Sequence, residues 1–130
     1  MDVRNEKELA SAVKSNQNEI TIKGDLAEKT IKIKATGKVA WLVASGAVGV
    51  AVIIALKTPI VIAGGPHAVA SLGAIATTSA GATVAIWGIS TTVAAISICV
   101  AGGSAVTLKK LYEGYNIVSK GDGFVKLRKK

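Results

Sequence analysis

The sequence predicts a membrane α-helical hairpin of two long, small-residue-rich spans, carrying a small α+β domain built from both chain ends. Three observations lead there. Residues 39–108 hold no acidic residue and only Lys57 as a basic one. All remaining charges crowd into residues 1–38 and 109–130. Those same flanks carry a short amphipathic stretch and runs that alternate at the strand period.

A bilayer core about 30 Å thick takes roughly 20 apolar residues in a helix. Residues 39–108 are too many for one crossing, and too many for the core helix of so small a soluble domain. Half of the 130 residues are hydrophobic and 18 % are charged, at a mean hydropathy of +0.47. The two classes are therefore segregated along the chain rather than mixed. The opening MDVRNEKELASAV interleaves acids and bases without an apolar run before a cleavage site. The apolar stretch is thus read as internal and uncleaved.

Charge sets the expected orientation. The formal net charge is +8, with eight bases and six acids in residues 1–38 and seven bases and two acids in 109–130. Lys32, Lys34 and Lys38 precede the apolar stretch and Lys109 and Lys110 follow it, whereas Lys57 alone lies between. Basic loops favour the cytoplasmic side. Both termini are therefore expected in the cytoplasm, with two crossings of a bacterial inner membrane.

Residues 5–15 read as a short helix, capped by Asn5 with Glu8 three residues on. Leu9, Ala10 and Val13 would give it a narrow apolar stripe. Residues 19–23 (EITIK) and 30–34 (TIKIK) alternate strictly and read as a β-hairpin across GDLAEK. Residues 1–38 are then the helix and hairpin of the soluble domain. A second hairpin is expected in residues 109–130, with Tyr115–Val118 and Phe124–Arg128 flanking Gly121-Asp122-Gly123. An isolated two-stranded hairpin is marginal in water, so the two flanks must combine.

Residues 39–108 form the expected transmembrane hairpin. Val39–Leu56 is the first span, with Trp41 as an interfacial anchor. Lys57, Pro59 and Gly64-Gly65-Pro66 place a turn near 57–67. Residues 68–108 lack charge and proline, and as one helix would run about 60 Å, twice the core thickness. A break near Ser79-Ala80-Gly81, or a re-entrant or projecting segment in 57–81, is required.

Small residues recur along this stretch at alternating steps of three and four: Ser71, Ala74, Thr78, Gly81, Ala85, Gly88, Thr92, Ala95, Cys99 and Gly102. The first span repeats the pattern with Ala40, Ala44, Ala47, Ala51 and Ala55. In lipid, helices associate where small side chains let backbones approach. Ala44, Ala47, Ala51, Gly81, Ala85, Gly88, Thr92, Ala95 and Gly102 are accordingly the expected packing surface of a homo-oligomer. Gly88→Leu is expected to weaken assembly by obstructing that approach. In a ring, Ser90, Thr91, Ser97 and Thr107 would line an aqueous lumen.

No catalytic constellation assembles. His67 is the sole histidine and sits in a turn, and Cys99 is the sole cysteine. No cluster has metal-ligand spacing, no segment has the context of a phosphate loop, and no cofactor is expected. Lys109, Lys110, Lys126, Arg128, Lys129 and Lys130 are read as a basic surface for anionic headgroups. Nucleic-acid binding is not expected, because no aromatic stacking platform accompanies the charge.

In gross plan, short with two spans and a basic cytoplasmic tail, the chain resembles holins and other small bilayer-permeabilising proteins. Type IV secretion pilins resemble it too, in pairing two small-residue-rich helices. The reading that follows is a self-associating membrane protein that forms or lines a pore, as a toxin, holin or defence effector would. A cytosolic regulator could act on its soluble domain. The alternatives are a subunit of a filament, tube or scaffold, and a membrane anchor that recruits a partner protein.

Overall fold

The computed structural model describes residues 2–57 and 81–130. Both flanks of the apolar stretch enter one sheet. Among the described residues its strands are β1 (Asp2–Val3), β2 (Glu19–Lys23), β3 (Tyr115–Gly121) and β4 (Phe124–Lys129), in spatial order β1-β2-β4-β3. β1 runs parallel to β2, and β4 pairs antiparallel with both β2 and β3. The period of two assigns the faces. Ile20 and Ile22 lie opposite Leu127 and Val125 and all four are fully buried. The other face carries Glu19, which pairs with Arg128 at 2.9 Å and Lys126 at 3.6 Å. The expected basic tail is therefore an interior strand, and two of its charges are already paired.

The first helix, α1 (Glu6–Lys14), begins as its sequence dictates. Asn5 is extended, and its side-chain oxygen accepts from the Glu8 amide at 2.8 Å. Leu9, Ala10, Ala12 and Val13 form its buried face.

Residues 30–34 are not a strand. They end a helix, α2 (Asp25–Lys34), so the expected N-terminal hairpin is absent and β2 pairs with β4 instead. Three local features favour the helix. Gly24 turns the chain at φ +81° into the first turn, where Asp25 and Glu28 meet the positive end of the helix dipole while Lys32 and Lys34 sit at the negative end. Leu26, Ala27, Thr30 and Ile33 are buried at helical spacing. The alternation of Ile31 with Ile33 leaves Ile31 only partly covered.

The middle of the chain yields α3 (Lys38–Leu56), α4 (Gly81–Trp87) and α5 (Ile89–Gly102), followed by α6 (Val106–Gly114). The expected long second span is broken at Gly88, where α4 and α5 meet at 118°. α4 lies against α3. α5 packs on α3 as well, and also on α1, α2 and α6, so part of the expected second span lies against the α/β head. The expected turn near 57–67 lies, apart from Lys57, outside the described residues, as do His67, Ser71, Ala74, Thr78 and Ser79.

Gly102, expected to pack against other copies, and Thr107, expected in a lumen, meet inside this chain. A Cβ at Gly102 would stand 2.8 Å from both Cβ and Cγ2 of Thr107, which is buried at 4 % exposure. Gly102→Ala is therefore expected to lower stability by about 1–3 kcal/mol, the usual range for overpacking. Thermal unfolding of the detergent-solubilised chain checks this, and Thr107→Ala in the same chain should recover only part of the loss, because the Cβ at position 107 remains. An unchanged melting temperature would contradict the packing.

Candidate membrane interface

The candidate site is α3 and the collar of side chains around its first turns. α3 has 19 residues and a mean hydropathy of 2.5 over its most apolar window. At 1.5 Å per residue it is about 28 Å long, close to the hydrocarbon thickness. Among the described residues it is the one helix that is alone long and apolar enough to cross a bilayer. Gly81–Trp87 and Ile89–Gly102 pass that measure only when taken together across their bend.

The helix has two unlike faces. Trp41, Ala44, Val48, Ala51, Val52 and Ala55 point inward and are buried. Val39, Leu42, Val43, Val50, Ile53 and Ile54 point outward, with exposures from 40 to 79 %. Only 33 % of the apolar window is buried within the chain. Ala44 and Ala51, expected to pack against other copies, instead lie on the inward face, with Ala47 partly buried beside them. The Thr83 hydroxyl donates to the Ala44 carbonyl at 2.9 Å and so ties α4 to α3.

An aromatic cluster joins α3 to the head. Trp41 stacks on Tyr112 with ring centroids 3.9 Å apart and planes 10° from parallel. Trp87 lies 6.3 Å from Trp41. Thr36 links them, because Trp87 Nε1 donates to its hydroxyl at 2.7 Å and the Tyr112 hydroxyl donates to its carbonyl at 2.5 Å. Trp41 is thus covered at 4 % exposure rather than standing free as an anchor.

Lys34 holds the corner beneath this cluster. Its ammonium donates to the carbonyls of Leu111, Tyr112 and Tyr115. Leu111 and Tyr112 are in the last turn of α6, where a cation satisfies orphan carbonyls and opposes the dipole. Burial, and then the neighbouring Lys130 charge, push Lys34 from 10.5 down to about 8. The folded chain therefore releases this proton more readily than the unfolded one. The destabilising contribution is full below pH 8 and is relieved as pH rises from about 8 to 10.5. NMR of methyl-labelled lysines should show Lys34 titrating near 8; a midpoint at 10.5 or above would show the three carbonyl bonds outweighing burial. On the far sheet face, Arg128 and then Lys126 hold the Glu19 carboxyl below 4.5. Its stabilising share is present above 4.5 and is lost as pH falls through the lowered value.

Two clefts flank α3. One, of about 570 Å³, is lined by Lys34, Lys38, Trp41, Leu42, Tyr112, Glu113, Asn116, Ile117 and Lys130. The other, about 330 Å³, runs between α3 and α6 and includes Lys109 beside Ser45 and Val48. Lys38, Lys109 and Lys130 are exposed around this junction, and Lys110 is exposed on α6. Lys129 is exposed as well and pairs in the sheet with Tyr115.

The remaining expected residues are scattered. Thr91 and Thr107 are buried within the chain. Ser97 bonds back to the Val93 carbonyl at 2.8 Å, and Ser90 borders a polar cleft with Asp25, Glu28, Lys29 and Lys32. These four hydroxyls do not share one lining face. Of the expected packing stripe, Thr92 and Ala95 are fully buried, whereas Gly81 and Ala85 are exposed on α4. Sequence reasoning misses Lys34, Thr36, Trp87 and Tyr112 as a group. Two of only two tryptophans and one of two tyrosines flank the apolar stretch or its break, and that is the available signal. Among the described residues no group of His, Cys, Asp and Glu is placed to hold a metal ion.

No curated protein and no solved structure matches this chain. A family model does match, and it covers residues 2–130. The chain belongs to the family described as Uncharacterised protein PM1101.

Proposed function

We propose that this protein is an integral membrane protein whose α3 enters the bilayer while the α/β head rests on the cytoplasmic surface. Copies associate through their apolar hairpins and permeabilise the membrane. The observation that carries the reading is the outward face of α3, a row of large apolar side chains 40 to 79 % exposed. Two others support it. Both chain ends lie in one sheet, hence on one side, and α4 returns alongside α3, as an even number of crossings requires. Exposed lysines gather at one end of α3, where anionic headgroups and the positive-inside preference place them.

The test is release of a trapped dye from liposomes holding purified protein. Leakage that rises more steeply than linearly with protein density supports association into pores. Tight vesicles at high density refute permeabilisation.

One observation favours a second reading, a membrane anchor that presents the head to a partner protein. Thr91 and Thr107 are enclosed and Ser97 is bonded within its own helix, so three of the four hydroxyls expected in a lumen are buried or engaged internally. A monomeric mass in detergent, together with tight vesicles, selects the anchor.

A further inference from the structure

We propose that the cleft between the first turn of α3 and the α6–β3 corner binds the phosphate headgroup of an anionic phospholipid. The inference rests on the membrane reading above and gives that surface a specific ligand.

The cleft joins two chemistries. Lys34, Lys38 and Lys130 converge on it, with Glu113 as the one acid of its lining. The Lys34 ammonium spends its donors on three carbonyls, and an ammonium has three. It therefore contributes positive field, while Lys38, Lys130 and the Asn116 amide remain to donate to phosphate oxygens. Lys34 and Lys130 line the same cleft, and the Lys130 charge adds to the lowering of the Lys34 pKa. An anion between them relieves that repulsion.

The apolar part of the lining is Trp41, Leu42, Tyr112 and Ile117. Leu42 is 66 % exposed and neighbours Val39 and Val43 on the outward face of α3. An acyl chain leaving the cleft along this face stays against apolar surface. A free phosphate would use the lysines and leave the apolar lining idle, so the geometry selects the lipid. About 570 Å³ is within the range of small-molecule sites and accommodates a glycerophosphate headgroup.

The test uses the full chain and the emission of Trp41 and Trp87, titrated with three probes: dihexanoyl phosphatidylglycerol, dihexanoyl phosphatidylcholine and inorganic phosphate. The glycerol lipid is expected to saturate at concentrations at least about tenfold lower than the choline lipid, as lysine contacts of this kind imply. Lys38→Glu with Lys130→Glu should abolish that preference. Lys14→Glu with Lys120→Glu, the same charge change at exposed positions outside the cleft, should keep it. Equal binding of the two lipids, or an unchanged preference in the cleft variant, overturns the proposal. Inorganic phosphate binding as tightly as the anionic lipid overturns it too, in favour of a free-anion site. Failure of the membrane reading is seen separately, as failure of the wild-type chain to float with phosphatidylcholine vesicles.

Discussion

Val50→Lys is expected to abolish stable membrane insertion while leaving the head folded. Val50 lies in the central part of α3 and is 53 % exposed on its outward face, outside the buried core of the head. A lysine near the middle of a spanning helix costs about 2.5–3.5 kcal/mol on insertion scales, roughly a hundredfold or more in partition. Flotation with vesicles should fall accordingly, and Val50→Leu should float like wild type. Far-UV circular dichroism should be the same for all three. If α3 were instead a core helix of a water-soluble molecule, the lysine would sit harmlessly in solvent and both variants would behave alike.

Gly88→Leu and Gly88→Ala are expected to be about equally harmful, and through the backbone. Gly88 has φ +82° and ψ 163° and ends α4 while capping α5. Its carbonyl accepts from both the amide and the hydroxyl of Thr92. That region of conformational space is open essentially to glycine alone, and forcing another residue there costs about 1–3 kcal/mol. Space is not the obstacle, since the nearest atom to a Cβ at this position would be the flexible Lys32 Nζ at 3.9 Å. A bulk effect at an intermolecular seam would spare alanine and penalise leucine. Equal losses in thermal stability locate the role of Gly88 in the bend.

The bend also explains which parts of the fold are legible in the sequence. Helix α1 can be read because its cap and stripe are local, with Asn5 bonding Glu8. The β3–β4 hairpin can be read because Asp122-Gly123 needs a positive φ, found at Gly123 as +74°. For α2, five alternating residues obscure a helical face that starts at Leu26, and only the longer window reveals it. For α5, composition misleads. Thr92, Ala95 and Cys99 suit close packing of helices in lipid, but they suit close packing against the head equally well. A small face says that a neighbour comes near, and not which neighbour.

The interface is legible only in its parts. Charge segregation locates lysines beside the apolar stretch, and Trp41 stands at its start. What brings Lys34 to the end of α6, and Trp87 and Tyr112 to Thr36, is the sheet that closes both flanks together. Contacts separated by 51 to 78 residues leave no periodic trace.

The most direct measurement places a nitroxide on Val50→Cys in a Cys99→Ala chain reconstituted into vesicles. It then compares the label's collisions with oxygen and with a water-soluble nickel chelate. Greasy surroundings would give frequent oxygen and rare nickel encounters there, with the reverse for a label on Lys14→Cys. Nickel access at position 50 matching that at position 14 would show the outward face of α3 bathed in water and would contradict the account.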